Sequence, residues 1–130
     1  MNQAVDQGKL DEFLGRVVGD LGAAMSGALV VLGVRLGLYK GLAAGGAQTP
    51  AELARRTETH ERYVREWLCA QAAGGYVGYD AASGRFALTA EQQAALADDT
   101  SPAYVPGGFQ IVVRRRRRAR KGARLAQLAR

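Results

Sequence analysis

A single cysteine, Cys69, and a single histidine, His60, leave this 130-residue chain without an internal disulfide. They also leave it short of the roughly four Cys/His ligands that a structural zinc site needs. A reduced, cytoplasmic setting is the expectation that follows. Long apolar runs are missing too. The longest uncharged stretch, Leu21 to Val34, has 14 residues, fewer than the roughly 20 that cross a bilayer, so no membrane partner is expected. Met1 to Asp6 shows no basic segment leading into an apolar one, which argues against a signal peptide. Acid is absent from the last twenty residues. Residues 1–110 carry 9 Lys+Arg against 12 Asp+Glu, whereas residues 111–130 carry 9 basic residues and no acidic one, so the basic character of the chain belongs to its tail.

What is present, 48% hydrophobic and 23% charged residues, fits one soluble domain. From Leu10 to about Leu42 apolar residues recur at helical spacing, implying one long helix or two in succession. Seven glycines interrupt this stretch, each costing a helix about 1 kcal/mol relative to alanine. Small residues step by four at Gly15, Gly19, Ala23 and Gly27 and again at Gly33, Gly37 and Gly41. Such ridges let another backbone approach closely, and a break is expected near Gly27 or Gly33.

Thr49-Pro50-Ala51-Glu52 opens a short helix with a capping box, ending near Arg56 or Thr57. A second helix is expected from Glu61 to Ala73, burying Val64, Trp67, Leu68 and Ala72, before Gly74-Gly75 stops it. Tyr76–Tyr79 and Arg85–Leu88 flank Asp80–Gly84, the pattern of a β-hairpin with a five-residue loop. Thr89 caps one more helix, to about Ala97, and Val105–Phe109 reads as irregular. The fold class implied is mainly α with a small β-hairpin: a winged helix-turn-helix preceded by long N-terminal helices, over residues 1–110. Residues 111–130 form an Arg-rich tail expected to be disordered.

Four blocks carry a family resemblance: Leu32–Tyr39, Thr49–Ala54, Glu61–Leu68 and Gln71–Val77. Together they resemble the N-terminal winged-helix domain of a bacterial family of S-adenosylmethionine-dependent methyltransferases, some of them labelled transcriptional regulators. The resemblance runs from about Lys9 to Gln110. It implies a domain that mediates dimerisation, here a homodimer through the N-terminal helices, and helps to cover an active site. The cofactor of such enzymes binds a following Rossmann-like domain. After Gln110 no strand leads into a Gly-rich loop and helix, so S-adenosylmethionine is expected only of the full-length family. The expectation is a non-catalytic chain truncated before its catalytic domain, the abrupt Arg/Ala-rich switch suggesting a frameshift. Glu58 and His60 stand where the family usually has Gly and Asp, weakening that turn and cap.

The alternative is a small DNA-binding regulator. Its contacts would be Arg62, Arg65 and Arg85, with Arg114, Arg115, Arg116, Arg117 and Arg118 binding nucleic acid non-specifically. From Pro50 to Leu88, however, five arginines are matched by five carboxylates, and Glu61 and Glu66 would bring negative charge to phosphates. Intrahelical pairing such as Arg62 with Glu66 is the simpler reading. No catalytic or metal site emerges. His60 reads as a surface or capping residue and Cys69 as a small packing residue, about 13 Å apart along one helix. Trp67 reads as core together with Tyr63, and Asp11-Glu12 and Asp98-Asp99 as solvated pairs.

Overall fold

The structure, a computed structural model, describes residues 4–111. Helix α1 (Gln7–Arg35) starts at Asp6, whose carboxylate accepts a bond from the Lys9 N–H. It is followed by α2 (Leu38–Gly45), α3 (Pro50–Thr57), α4 (Glu61–Ala73), strands β1 (Gly78–Asp80) and β2 (Arg85–Ala87), and α5 (Ala90–Leu96). The chain is helical again from 106 to 111.

The expected break in the N-terminal helices lies at neither Gly27 nor Gly33. It falls at Gly37, which takes a left-handed φ of 70°, a conformation glycine adopts without steric cost. Gly27 and Gly33 stay helical because their missing side chains make room. A Cβ on Gly27 would lie 3.2 Å from the Phe109 ring, and one on Gly33 would lie 2.9 Å from Tyr39 and closer still to Trp67. That contact also explains why 106–111 is helical where an irregular segment is expected from sequence. Pro106 is fully buried in the first turn, where it lacks no needed donor, and Phe109 packs against the core.

Both threonine caps form complete boxes. Thr49 and Glu52 exchange bonds at the start of α3, as do Thr89 and Gln92 at the start of α5. Helix α3 ends at Glu58, whose φ of 54° is the one positive value among the described non-glycine residues. The Thr59 N–H then reaches the Ala54 carbonyl at 2.9 Å, completing a left-handed C-terminal cap of the kind glycine normally occupies. Glu58→Gly should therefore stabilise the fold by about 1 kcal/mol and raise Tm by about 5 °C; a thermal melt showing a lower Tm would contradict this.

Helices α3 and α4 pack as the helix-turn-helix, and β1 and β2 pair antiparallel with Tyr79 opposite Phe86. Because Asp80 pairs with Arg85, the loop has four residues instead of the expected five. Asp80 holds that loop, accepting bonds from the Ala82 and Ser83 N–H groups and the Ser83 hydroxyl. On the other side of β2, Gln48 exchanges two backbone bonds with Phe86, at 2.8 and 2.9 Å. The segment before α3 thus adds a rung to the wing. One core unites these elements, with Val30, Leu38, Tyr39, Leu42, Leu53, Val64, Trp67, Leu68, Phe86 and Leu96 buried. Burying such side chains contributes about 1.5–3 kcal/mol each.

Candidate functional site

Two surfaces are candidates for function: the exposed length of α1, and the outer face of α4 with the hairpin.

Helix α1 enters the core only in its last turns, through Val30, Val31 and Gly33. Its first five turns project beyond the winged helix, and they do so with large apolar residues exposed. Phe13, Leu14, Val17, Val18, Leu21 and Met25 are all solvent-accessible, Val18 at 65%, Leu21 at 60% and Met25 at 72%. At helical spacing these six form one stripe, wider than the ~100° an ordinary core-facing helix presents. Gly22 borders this stripe while Gly15 and Gly19 turn toward the opposite face of the helix, and nothing lies near the positions their Cβ atoms would take. By length and composition α1 could also cross a membrane, an outcome the 14-residue uncharged stretch did not foretell.

The α4 face is less open to a ligand than its arginines suggest. Arg65 pairs with Glu61 one turn earlier at 2.7 Å; the pairing expected of Arg62 with Glu66 is not among the ion pairs formed. Arg62 is exposed and forms no ion pair among the described residues. Arg85, taken from sequence as a residue of the wing surface, instead turns back onto α3. Its guanidinium donates to both oxygens of Glu52, at 2.6 and 3.2 Å, and to the Ala47 carbonyl at 3.1 Å. Arg114 to Arg118 lie outside the described residues.

Glu52 thus serves twice, capping α3 through the Thr49 N–H at 2.9 Å and bracing the hairpin through Arg85. The backbone bond from Thr49 and then the Arg85 guanidinium hold its pKa below the ordinary glutamate value. A depressed carboxylate contributes stability above its unfolded pKa of about 4.3 and loses it as pH falls through the folded value. Glu52→Gln should therefore flatten the acid limb of a stability-against-pH curve below about pH 4.3; an unchanged limb would refute the assignment.

The remaining polar residues are structural. His60 caps α4, its Nδ1 accepting from the Arg62 N–H at 3.3 Å, and its ring lies 5.4 Å from that of Tyr63. Tyr63 is consequently an exposed residue and not part of the core, whereas Trp67, four positions on, is 3% exposed and donates its indole N–H to the Leu29 carbonyl at 2.9 Å. Cys69, expected to pack, is free and exposed, because it sits one position round the helix from buried Leu68. Tyr39 donates to Gln71 in the core, and burial pushes its phenol pKa up. Asp99 pairs with Lys40 at 2.8 Å, a long-range contact that sequence did not suggest. No group of three or more potential metal ligands occurs among the described residues.

This architecture, two tightly packed helices followed by a hairpin wing, defines a winged helix-turn-helix protein. Residues 24–98 match the model of the Rv2258c-like winged HTH domain, and the chain belongs to that family. Among curated proteins none matches it. Among solved structures, the mitomycin 7-O-methyltransferase MmcR is similar over 75% of this chain and 28% of its own, at 26% identity and a TM-score of 0.65. CalO1, a methyltransferase in calicheamicin biosynthesis in its SAH-bound form, is similar over 82% and 29%, at 28% identity and 0.59. Human N-acetylserotonin methyltransferase, in complex with SAM, shares the fold at 18% identity and 0.56, over 78% and 29%. The chain spans less than a third of the length of these enzymes.

CalO1 carries SAH and the human enzyme SAM; among the described residues of this chain the one sheet is a two-stranded antiparallel hairpin, without the parallel strand, Gly-rich loop and helix of a Rossmann-type nucleotide site.

Proposed function

We propose that this chain is a non-catalytic winged-helix module of an S-adenosylmethionine-dependent O-methyltransferase, which pairs with a second copy through α1 and helps to cover the catalytic site. One observation carries this: a winged helix related to those enzymes leaves six large apolar side chains exposed along a single helix. Monomeric soluble proteins rarely expose a continuous patch of this kind. Six side chains from each of two copies, at roughly 1.5 kcal/mol each, offer about 18 kcal/mol, against an association cost of about 4–15 kcal/mol. The DNA-binding alternative is less well supported, since Arg65 and Arg85 are already held by carboxylates.

Sedimentation at micromolar concentration tests the proposal. The full chain should run as a dimer, and the double variant Val18→Asp/Leu21→Asp as a monomer with its helical circular dichroism retained. A monomeric parent chain would overturn the reading, as would flotation of the chain with neutral phosphatidylcholine vesicles, which would assign α1 to a membrane.

A further inference from the structure

A groove of about 660 Å³ is lined by Gly45, Ala47, Gln48, Glu52, Arg55, Arg56 and Arg85, none of them from α1. Its volume is that of a small-molecule site, whose usual range is about 300–1,000 Å³. Its walls are not the usual apolar ones: three guanidinium groups, one carboxylate and one amide line it, and only Gly45 and Ala47 are non-polar.

The charges in this groove are unequally committed. Glu52 is spent on Arg85 and on the Thr49 N–H, so that pair is internally neutral. Gln48 forms the floor. It is 4% exposed, its amide donates to the Gly41 and Gly46 carbonyls, and its oxygen accepts from Arg56 Nε at 3.1 Å. This buried amide fixes the root of the Arg56 guanidinium and leaves the two terminal nitrogens of that group without a hydrogen bond among the described residues. Arg55, its neighbour on α3, has no carboxylate within ion-pairing distance among the described residues. Two full positive charges therefore stand at one polar groove, one of them held in place.

We infer that this groove binds a small phosphorylated metabolite, with Arg55 and Arg56 taking the phosphoryl group. Two guanidiniums lining one groove match the charge of a phosphomonoester, close to −2 at neutral pH, and the planar fork of arginine suits its oxygens. The space beyond one phosphoryl group suits a hydrophilic remainder, because most of the wall is polar and offers hydrogen bonds. The inference is independent of the pairing of α1, which contributes no residue to the groove.

The test is a nuclear magnetic resonance titration of the full chain with inorganic phosphate, glycerol 3-phosphate and acetate, with assigned backbone and arginine Nε–H signals. Residue-resolved shifts separate this groove from residues 111–130. Saturable shifts at Arg55 Nε–H, Arg56 Nε–H and the backbone of 45–56 are expected, tighter for the phosphomonoester than for inorganic phosphate and at least tenfold tighter than for acetate. Arg55→Gln/Arg56→Gln should weaken phosphomonoester binding at least tenfold. Because Arg56 supports buried Gln48, Arg55→Gln alone serves as the second variant and should weaken it at least threefold with an unchanged melting curve. Shifts confined to 111–130, shifts that rise without saturating, or equal response to acetate would overturn the inference.

Discussion

Trp67→Ala should cost about 4 kcal/mol, the range for removing a buried aromatic side chain, and should loosen α1 from the winged helix. Three contacts converge on this side chain, two from α1 and one from α2. Its N–H reaches the Leu29 carbonyl in α1. Its ring meets that of Tyr39 in α2 edge-on, with centroids 5.0 Å apart at 68°, a geometry that adds to the energy of burial alone. Its six-membered ring also fills the space that Gly33 leaves open in α1. Against a total stability of about 5–15 kcal/mol for a domain, the loss is large. Urea denaturation followed by circular dichroism is the appropriate measurement, since this is the chain's only tryptophan. With a slope of about 1–3 kcal/mol per molar, the midpoint should fall by about 2 M. Trp67→Phe keeps most of the packing and gives up the hydrogen bond, so it should cost only about 1–2 kcal/mol. A midpoint for Trp67→Ala within 0.5 M of the parent would mean that α1 is anchored elsewhere.

The parts of the fold that were legible in sequence are those whose determinants lie within one turn of each other. The Thr49 capping box, the limits of α4 and the glycine stop after it depend on neighbours three or four positions away, and all three form as expected. The hairpin was equally visible, because alternation and turn residues sit side by side. What sequence concealed depends on partners far along the chain. Arg85 carries no mark that its carboxylate is Glu52, 33 positions earlier, and so it read as a wing residue facing outward. Nothing near Gln48 announces a sheet rung with Phe86. Tyr63 and Trp67 share a helix face by spacing, yet only Trp67 lies where α1 and α2 close over it; the end of α4 that carries Tyr63 is left open. The candidate groove was invisible for the same reason, since its lining comes from the end of α2, the turn before α3, α3 itself and β2.

The glycines of α1 offer the sharpest separation between packing inside one chain and packing between two. Gly33→Ala should cost a net of about 2 kcal/mol. The added methyl would collide with Trp67 and lie 2.9 Å from Tyr39, two rings that are buried and unable to retreat. Overpacking of this sort costs about 1–3 kcal/mol or more, and the gain in helix propensity returns only about 1 kcal/mol. Gly22→Ala meets nothing within 4 Å in the single chain, so for an isolated protomer it should be stabilising by about 1 kcal/mol. If a second α1 packs closely at the edge of the apolar stripe that Gly22 borders, the same methyl holds the two backbones apart, and the sign reverses for the pair. Melting curves and sedimentation of the two variants should accordingly diverge. Gly33→Ala should lose stability at every protein concentration. Gly22→Ala should gain stability where the protomer is dilute, yet dissociate at concentrations at least tenfold higher than the parent does. A Gly22→Ala dimer as tight as the parent's would place the interface elsewhere on α1, leaving the apolar stripe to pair without the close approach that Gly22 permits.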